Sequence, residues 1–211
     1  MDPQPGIGAL RLTRFTHACV RLERDGRVLV IDPGIWSEPQ ALVGADAILV
    51  THEHADHIDT LRLAGLRAPV FAPAEADIPV DLPVERLVPG EERQIAGFRV
   101  RSVGGRHAPG IDGQPIAANL GYVVDGEVYH PGDSLEPPGQ PVATVLVPAG
   151  GPWLAVRDAI GFLRTTAPQQ AFPIHDVLLT EVGQLATDRW LASAGVPGYR
   201  RLRPGETVTL E

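Results

Sequence analysis

The chain of 211 residues has no lysine; its 18 basic side chains are all arginine, against 26 acidic ones, for a net charge of −8. That balance argues against a polyanion-binding surface, so nucleic acid is not an expected partner. The missing lysine reflects genomic base composition and says nothing about the reaction. A single cysteine, Cys19, excludes an internal disulfide and, on an apparent strand, reads as a small buried hydrophobe. No apolar run approaches the ~20 residues that span a bilayer. The opening Met1-Asp2-Pro3-Gln4-Pro5-Gly6 has neither the basic region nor the apolar core of a secretory signal, which makes the cytoplasm the expected compartment. Hydrophobic content of 44% and charged content of 21% are those of an ordinary globular chain, and the length suits one domain, residues 1–211.

Histidine and aspartate are concentrated where chemistry would need them. Thr51-His52-Glu53-His54-Ala55-Asp56-His57-Ile58-Asp59 sets three imidazoles and a carboxylate in six positions directly after the apolar run Ala47-Ile48-Leu49-Val50. Neutral imidazole and carboxylate together suit zinc, iron or manganese, and such close spacing lets one loop offer ligands to two ions. Two ions need further ligands. His107, Asp133 and His175 each follow an extended apolar segment, where a loop can aim a side chain into a shared cleft from a rigid sheet.

With these residues in view, the chain resembles the metallo-β-lactamase superfamily, whose five ordered motifs correspond here to Asp32 in Ile31-Asp32-Pro33-Gly34, the His-x-His-x-Asp-His run, His107, Asp133 and His175. The opening Phe15-Thr16-His17-Ala18-Cys19-Val20 is similar to the branch that includes the ascorbate-6-phosphate lactonase and N-acyl phosphatidylethanolamine phospholipase D. In that branch a glycine commonly precedes the early histidine; here Thr16 stands in its place.

Two Asp-Gly pairs, Asp25-Gly26 and Asp125-Gly126, mark tight hairpins, and each hairpin is followed by a Pro/Gly turn carrying an aspartate, Asp32 or Asp133. This faint repeat is consistent with two sheets that each feed a carboxylate to one cleft. Helical spacing predicts helices over residues 153–164 and about 181–194, and a shorter one from Asp59 to Leu66 with Asp59 as its cap. Residues 72–83, 136–141 and 148–152 are rich in proline and glycine and read as loops. Strands interleaved with helices in both halves indicate an αββα sandwich.

The resemblance implies that His52, His54 and His107 bind one ion, that Asp56, His57 and His175 bind the other, and that Asp133 bridges them. The ions would be two divalent cations, zinc first, with Mn2+ or Fe2+ as alternatives. It further implies a hydrolase in which a metal-bridging hydroxide attacks a small ester, lactone or phosphodiester, anionic substrates included. Asp56, Asp133 and His17 are the expected catalytic residues, with His17 either donating a proton to the leaving group or sitting in the core. Asp32 either holds the metal loop or caps a turn before Pro33. His130, next to Pro131, reads as a satisfied core or rim histidine. Trp36, Trp153 and Arg106 are the candidate substrate contacts, although tryptophans at such junctions are more often core. The expected partner is a small molecule, with no membrane span and with homo-oligomer formation allowed. Competing expectations are an iron-dependent oxidoreductase similar to persulfide dioxygenases and a non-catalytic metal-binding module.

Overall fold

Seven strands in each of two sheets form the computed structural model, which describes residues 8–79, 81–110 and 116–210. The first sheet contains β1 (Leu10–Arg14), β2 (Val20–Arg24), β3 (Arg27–Ile31), β4 (Ala47–Leu49), β5 (Val70–Pro73), β6 (Val84–Leu87) and β14 (Thr207–Leu210), in the order β14-β1-β2-β3-β4-β5-β6. The second contains β7 (Glu92–Ile95), β8 (Phe98–Arg106), β9 (Ala118–Val124), β10 (Val128–His130), β11 (Thr144–Pro148), β12 (Gln170–Ile174) and β13 (Gly198–Tyr199), in the order β13-β12-β11-β10-β9-β8-β7.

The central strands of both sheets are buried on two faces, and the alternation along single strands shows it. In β3, Leu29 and Ile31 join the core between the sheets, whereas Val28 and Val30 pack outward with Leu63 and Ile58. In β11, Leu146 points into the central core, while Val145 and Val147 meet Ala159, Phe162 and Leu163 of α2 (Val156–Thr166) and Leu191 of α3 (Glu181–Ala192). With α1 (Thr60–Leu63) outside the first sheet, the layers are helix, sheet, sheet, helix, the sandwich expected from the sequence.

The faint repeat extends well beyond its two hairpins. From β1 to β6 the pairings run antiparallel, antiparallel, parallel, parallel, parallel, and from β8 to β13 they run identically. Asp25 and Gly26 both adopt positive φ (50° and 74°), as do Asp125 and Gly126 (54° and 75°), the geometry that matches a tight hairpin to the twist of its strands. Strands β1, β3 and β4 point the same way in their sheet, as do β8, β10 and β12 in theirs. The segments carrying His17, Asp32, His52 to His57, His107, Asp133 and His175 therefore all leave strand ends of one sense.

Several boundaries differ from expectation. Helix α2 begins at Val156 rather than at residue 153, because Pro152 and Trp153 form a turn, closed by the Leu154 amide on the Gly151 carbonyl, that brings the indole to the cleft. Strand β5 runs to Pro73 and β11 to Pro148, inside segments expected to be loops; a proline at the last residue of a strand sacrifices little pairing. Pro173 lies within β12, where β13 pairs only with Gln170 and Ala171 and leaves that side open. Helix α3 ends at Ala192, and α1 is a single turn whose cap, Asp59, accepts from the Arg62 amide as expected. The stretch from Gly110 to Ile116, which its sequence position after His107 offers as a border of the cleft, lies outside the described residues at 111–115.

Candidate metal centre

The loop after β4 is held from three sides. Asp32, fully buried and at φ 52°, accepts from the Thr51 amide through Oδ1 and from the Thr51 hydroxyl through Oδ2, both at 2.7 Å. The same Oδ2 lies 2.7 Å from His57 Nδ1. Gly34 passes so close beneath the loop that a Cβ there would overlap the Asp56 carbonyl and lie 2.7 Å from the His57 nitrogen. The Asp59 amide bonds the Pro33 carbonyl and the Ile35 amide the Ala55 carbonyl, completing the clamp.

On the second sheet, Asn119 Oδ1 accepts from the Asp133 amide at 3.0 Å while its Nδ2 donates to the Pro131 carbonyl at 2.9 Å, fixing the Gly132-Asp133 turn. The Asp133 carbonyl in turn accepts from the Ala108 amide at 2.7 Å, which ties the His107 loop to the same turn. His175, at φ 57°, binds the His17 carbonyl through its amide, so the two histidine-bearing turns are joined across the sheets.

The imidazoles are oriented by what their other nitrogens do. His57, His107 and His175 commit Nδ1 to Asp32, to the Ala108 carbonyl (2.6 Å) and to the Gly150 carbonyl (2.6 Å), respectively, and present Nε2 to the cleft. His52 Nδ1 lies 3.0 Å from the Thr51 hydroxyl, itself bonded to Asp32, and its Nε2 lies 3.1 Å from His54 Nδ1. Three sets of ligand atoms converge, each within 4.8 Å: His52, His54 and His107; His17, Asp56, His57 and His175; and His52, His57 and Asp133. Asp133 reaches both ends of the cleft. Its Oδ1 is 3.1 Å from His57 Nε2, and its Oδ2 is 3.0 Å from His175 Nε2 and 3.3 Å from His107 Nε2.

These residues fit a cation. His57 Nε2, His175 Nε2 and Asp133 Oδ1 are buried and lack hydrogen-bond partners among the described residues, an arrangement that costs free energy unless a cation or protons satisfy it. In the metal-free state protons take that place. Burial works against charge on His175, but the Asp133 and Asp56 carboxylates, 3.0 and 3.5 Å from its Nε2, prevail and bring its pKa to about 9. Burial opposes charge on His57 as well, and Asp133 and Asp32 outweigh it to hold the pKa well above the ordinary value. His52, buried beside other imidazoles, is instead pushed well below it.

His17 is 1% exposed and lies in the cleft, its Nε2 3.0 Å from Asp56 Oδ2 and its ring 4.0 Å from that of His175. Its Nδ1 faces the Val177 amide at 3.5 Å, which places the ring proton on Nε2, toward Asp56. Thr16 is accommodated because the left-handed conformation belongs to His17 (φ 67°), while the Thr16 amide and hydroxyl both bond the Glu38 carboxylate. His130 is a core histidine: fully buried, with Nε2 on the Ala18 carbonyl and Nδ1 accepting from the Gly132 amide.

Trp153 is not core. Its half-buried indole donates to Asp133 Oδ2 at 3.0 Å and stands edge-on to His107 and His175. Trp36, 41% exposed, meets the His17 ring edge-on at 5.0 Å. Arg106 is exposed at the end of β8 with its guanidinium 3.6 Å from Glu75. Nothing local in the sequence marks Asn119, Thr51 or Gly34 as residues whose task is to hold a distant loop.

A family model described as a beta-lactamase superfamily domain matches residues 11–175. A Mycobacterium tuberculosis protein is 35% identical over 181 residues, covering 81% of this chain and 85% of its own length. A protein of Carboxydothermus hydrogenoformans named a metal-dependent hydrolase is 28% identical over 229 residues, covering 95% of this chain and all of the relative. Among solved structures, a metallo hydrolase of the archaeon Ignicoccus hospitalis superposes with a TM-score of 0.72 at 22% identity, covering 96% of this chain and 99% of that one. Taken with the four-layer sandwich and the convergent histidines and aspartates, the family match means that this chain belongs to the metallo-β-lactamase superfamily.

Proposed function

We propose that the protein is a binuclear metal-dependent hydrolase of small ester, lactone or phosphodiester substrates. The observation that carries this reading is Asp133, whose carboxylate stands between the two groups of imidazoles, with Oδ2 3.3 Å from His107 Nε2 and 3.0 Å from His175 Nε2, and Oδ1 3.1 Å from His57 Nε2. His52, His54 and His107 would hold one ion, Asp56, His57 and His175 the other, and Asp133 both. Divalent ions held there supply a lowered pKa for coordinated water and polarise the substrate oxygen.

The protein's own groups do the rest. Asp32, Gly150 and the Ala108 carbonyl fix the histidine tautomers so that each Nε2 presents a lone pair, which removes reorganisation from the chemical step. The Trp153 indole donates to Asp133 Oδ2 and keeps that carboxylate from rotating. His17, with its Nε2 proton directed at Asp56, is placed to steady that carboxylate and to pass a proton to the leaving group. Trp36 stands beside His17, and Trp153 beside His107 and His175. Arg106 would bind an anionic substrate only after leaving Glu75.

Relatives named metal-dependent hydrolases favour this reading over the oxidoreductase. The test is metal analysis and a visible spectrum, together with an activity screen over phosphodiester, lactone and thioester substrates, on the wild type and Asp133→Ala. The expected result is two metal equivalents, no iron-dependent visible band and turnover of one substrate class, with fewer equivalents and no turnover in the folded variant. A single equivalent in the wild type, or full metal content and turnover in the variant, would overturn the binuclear assignment.

A further inference from the structure

Helix α3 wears its apolar stripe on the wrong side. Its core contacts are made by Thr187 and Leu191, whereas Val182 (76% exposed) and Leu185 (66%) lie with Ala186 and Arg189 on the opposite face, and Trp190 (62%) flanks them one turn beyond Ala186. Leu178 (66%) and Val177 precede the helix and extend the patch toward His175. Five of the twelve exposed large apolar side chains among the described residues thus fall within residues 177–190. The neighbouring α2 is a built-in contrast: its exposed positions are Arg157, Asp158, Gly161, Arg164 and Thr165. Scattered apolar residues need no explanation, but these five expose about 600 Å² in one place, the top of the ~300–600 Å² range of the largest patch on an ordinary monomer.

We propose that this face joins a second copy of the chain in a two-fold symmetric dimer, with α3 packed antiparallel on the partner's α3. The inference is independent of the reaction assigned above. The stripe is complementary to itself. With the two-fold axis between Leu185 and Ala186, Leu185 sits on the partner's Ala186, whose small side chain lets the helices approach, and Val182 meets the stem of the partner's Arg189. The ends carry opposite charge, Glu181 in the first turn and Arg189 in the last, so the same pairing brings Glu181 against the partner's Arg189 twice. The apolar patch with its rim of Glu181, Ala186 and Arg189 approaches the ~800 Å² per partner of a standard interface. A lipid surface is a poor fit, because membrane-seeking helices set lysine and arginine beside the apolar face, whereas this chain has no lysine and a net charge of −8.

The experiment is sedimentation of the full-length, metal-loaded protein over a concentration series. The wild type is expected to be a dimer at about 100 µM. Leu185→Glu should weaken association by ~10²-fold or more while leaving metal content and circular dichroism unchanged, since that side chain touches neither core nor cleft. Arg189→Glu alone should also weaken it, by setting like charges together at both ends, and the double variant Glu181→Arg/Arg189→Glu should restore it. Glu181 and Arg189 are too far apart on one helix to pair with each other, so restoration reports a contact between copies. A wild type that is monomeric at about 100 µM, a Leu185→Glu protein that stays dimeric, or a double variant no tighter than the singles would overturn the proposal. So would a monomer that co-floats with neutral phosphatidylcholine vesicles, which would give the patch to lipid.

Discussion

Replacing Asp32 with asparagine should weaken metal binding without touching any group that faces the ions. The buried carboxylate accepts three short bonds, from the Thr51 amide, the Thr51 hydroxyl and His57 Nδ1. Asparagine has one acceptor oxygen. If that oxygen stays on the Thr51 amide, the new NH2 confronts two former donors. The Thr51 hydroxyl must turn, which disturbs the His52 ring it supports, and His57 must receive at Nδ1 and carry its proton on Nε2, the atom meant for the ion. Hydrogen bonds to a charged group are worth about 1.5–3 kcal/mol each, and the part transmitted to the site should appear as a 10–100-fold weaker metal affinity, the usual effect of losing such a support. A competitive titration against a chromophoric chelator measures it, with a melting curve on the same preparation. An affinity within about twofold of wild type alongside a lowered melting temperature would show that Asp32 only caps a turn, and the tautomer argument would fail.

Gly34→Ala should be as damaging from beneath, because the new methyl would meet the backbone of Asp56 and His57 rather than a side chain that can swing away; overpacking of this kind costs ~1–3 kcal/mol, and an ångström of loop displacement ~10²-fold in turnover. A protein with unchanged turnover and melting temperature would mean that the loop yields freely. His17→Gln should retain both metals and lose ~10²–10⁴-fold in turnover if the ring moves a proton, whereas a purely structural histidine would lower the melting temperature and spare the chemical step. The pH behaviour of the stripped protein follows from His175, whose pKa is raised to about 9 by Asp133 and Asp56 against the opposing effect of burial. A raised histidine contributes its full stability below the unfolded value and loses it as pH rises through the folded one, so the melting temperature of metal-free protein should fall between about pH 6.5 and 9. Over the same range apparent metal affinity should rise, because fewer protons have to be displaced; a flat melting profile would count against protonation of His175.

How far these features were legible depended on whether they are local. The run from His52 to His57 declares itself because four of its six positions carry candidate ligands, and Asp25-Gly26 and Asp125-Gly126 declare their hairpins because few dipeptides tolerate two successive positive φ values. Trp153 was not readable in the same way: its neighbours Leu154, Ala155 and Val156 continue a helical pattern, and only the turn before α2 makes the indole a donor to Asp133. Asn119 lies inside an otherwise apolar strand, where a lone amide announces nothing until the Gly132-Asp133 turn is laid against it. Strands β6 and β7 are short, partly exposed edge segments without a clean alternation, and β5, buried on both faces and ended by Pro73, is too short to show a period.

The repeated strand order has a consequence for assembly of the chain. His17, His52, His54, Asp56 and His57 come from the first repeat and His107, Asp133 and His175 from the second, so each cluster of candidate ligands is completed only across the seam between the sheets. A cation in this cleft would then act as a rivet between two half-proteins as well as a reagent. Cut in the turn between β6 and β7, the two fragments should each hold metal weakly and reassociate more tightly when it is supplied, which would make metal uptake a gauge of how firmly the halves are closed.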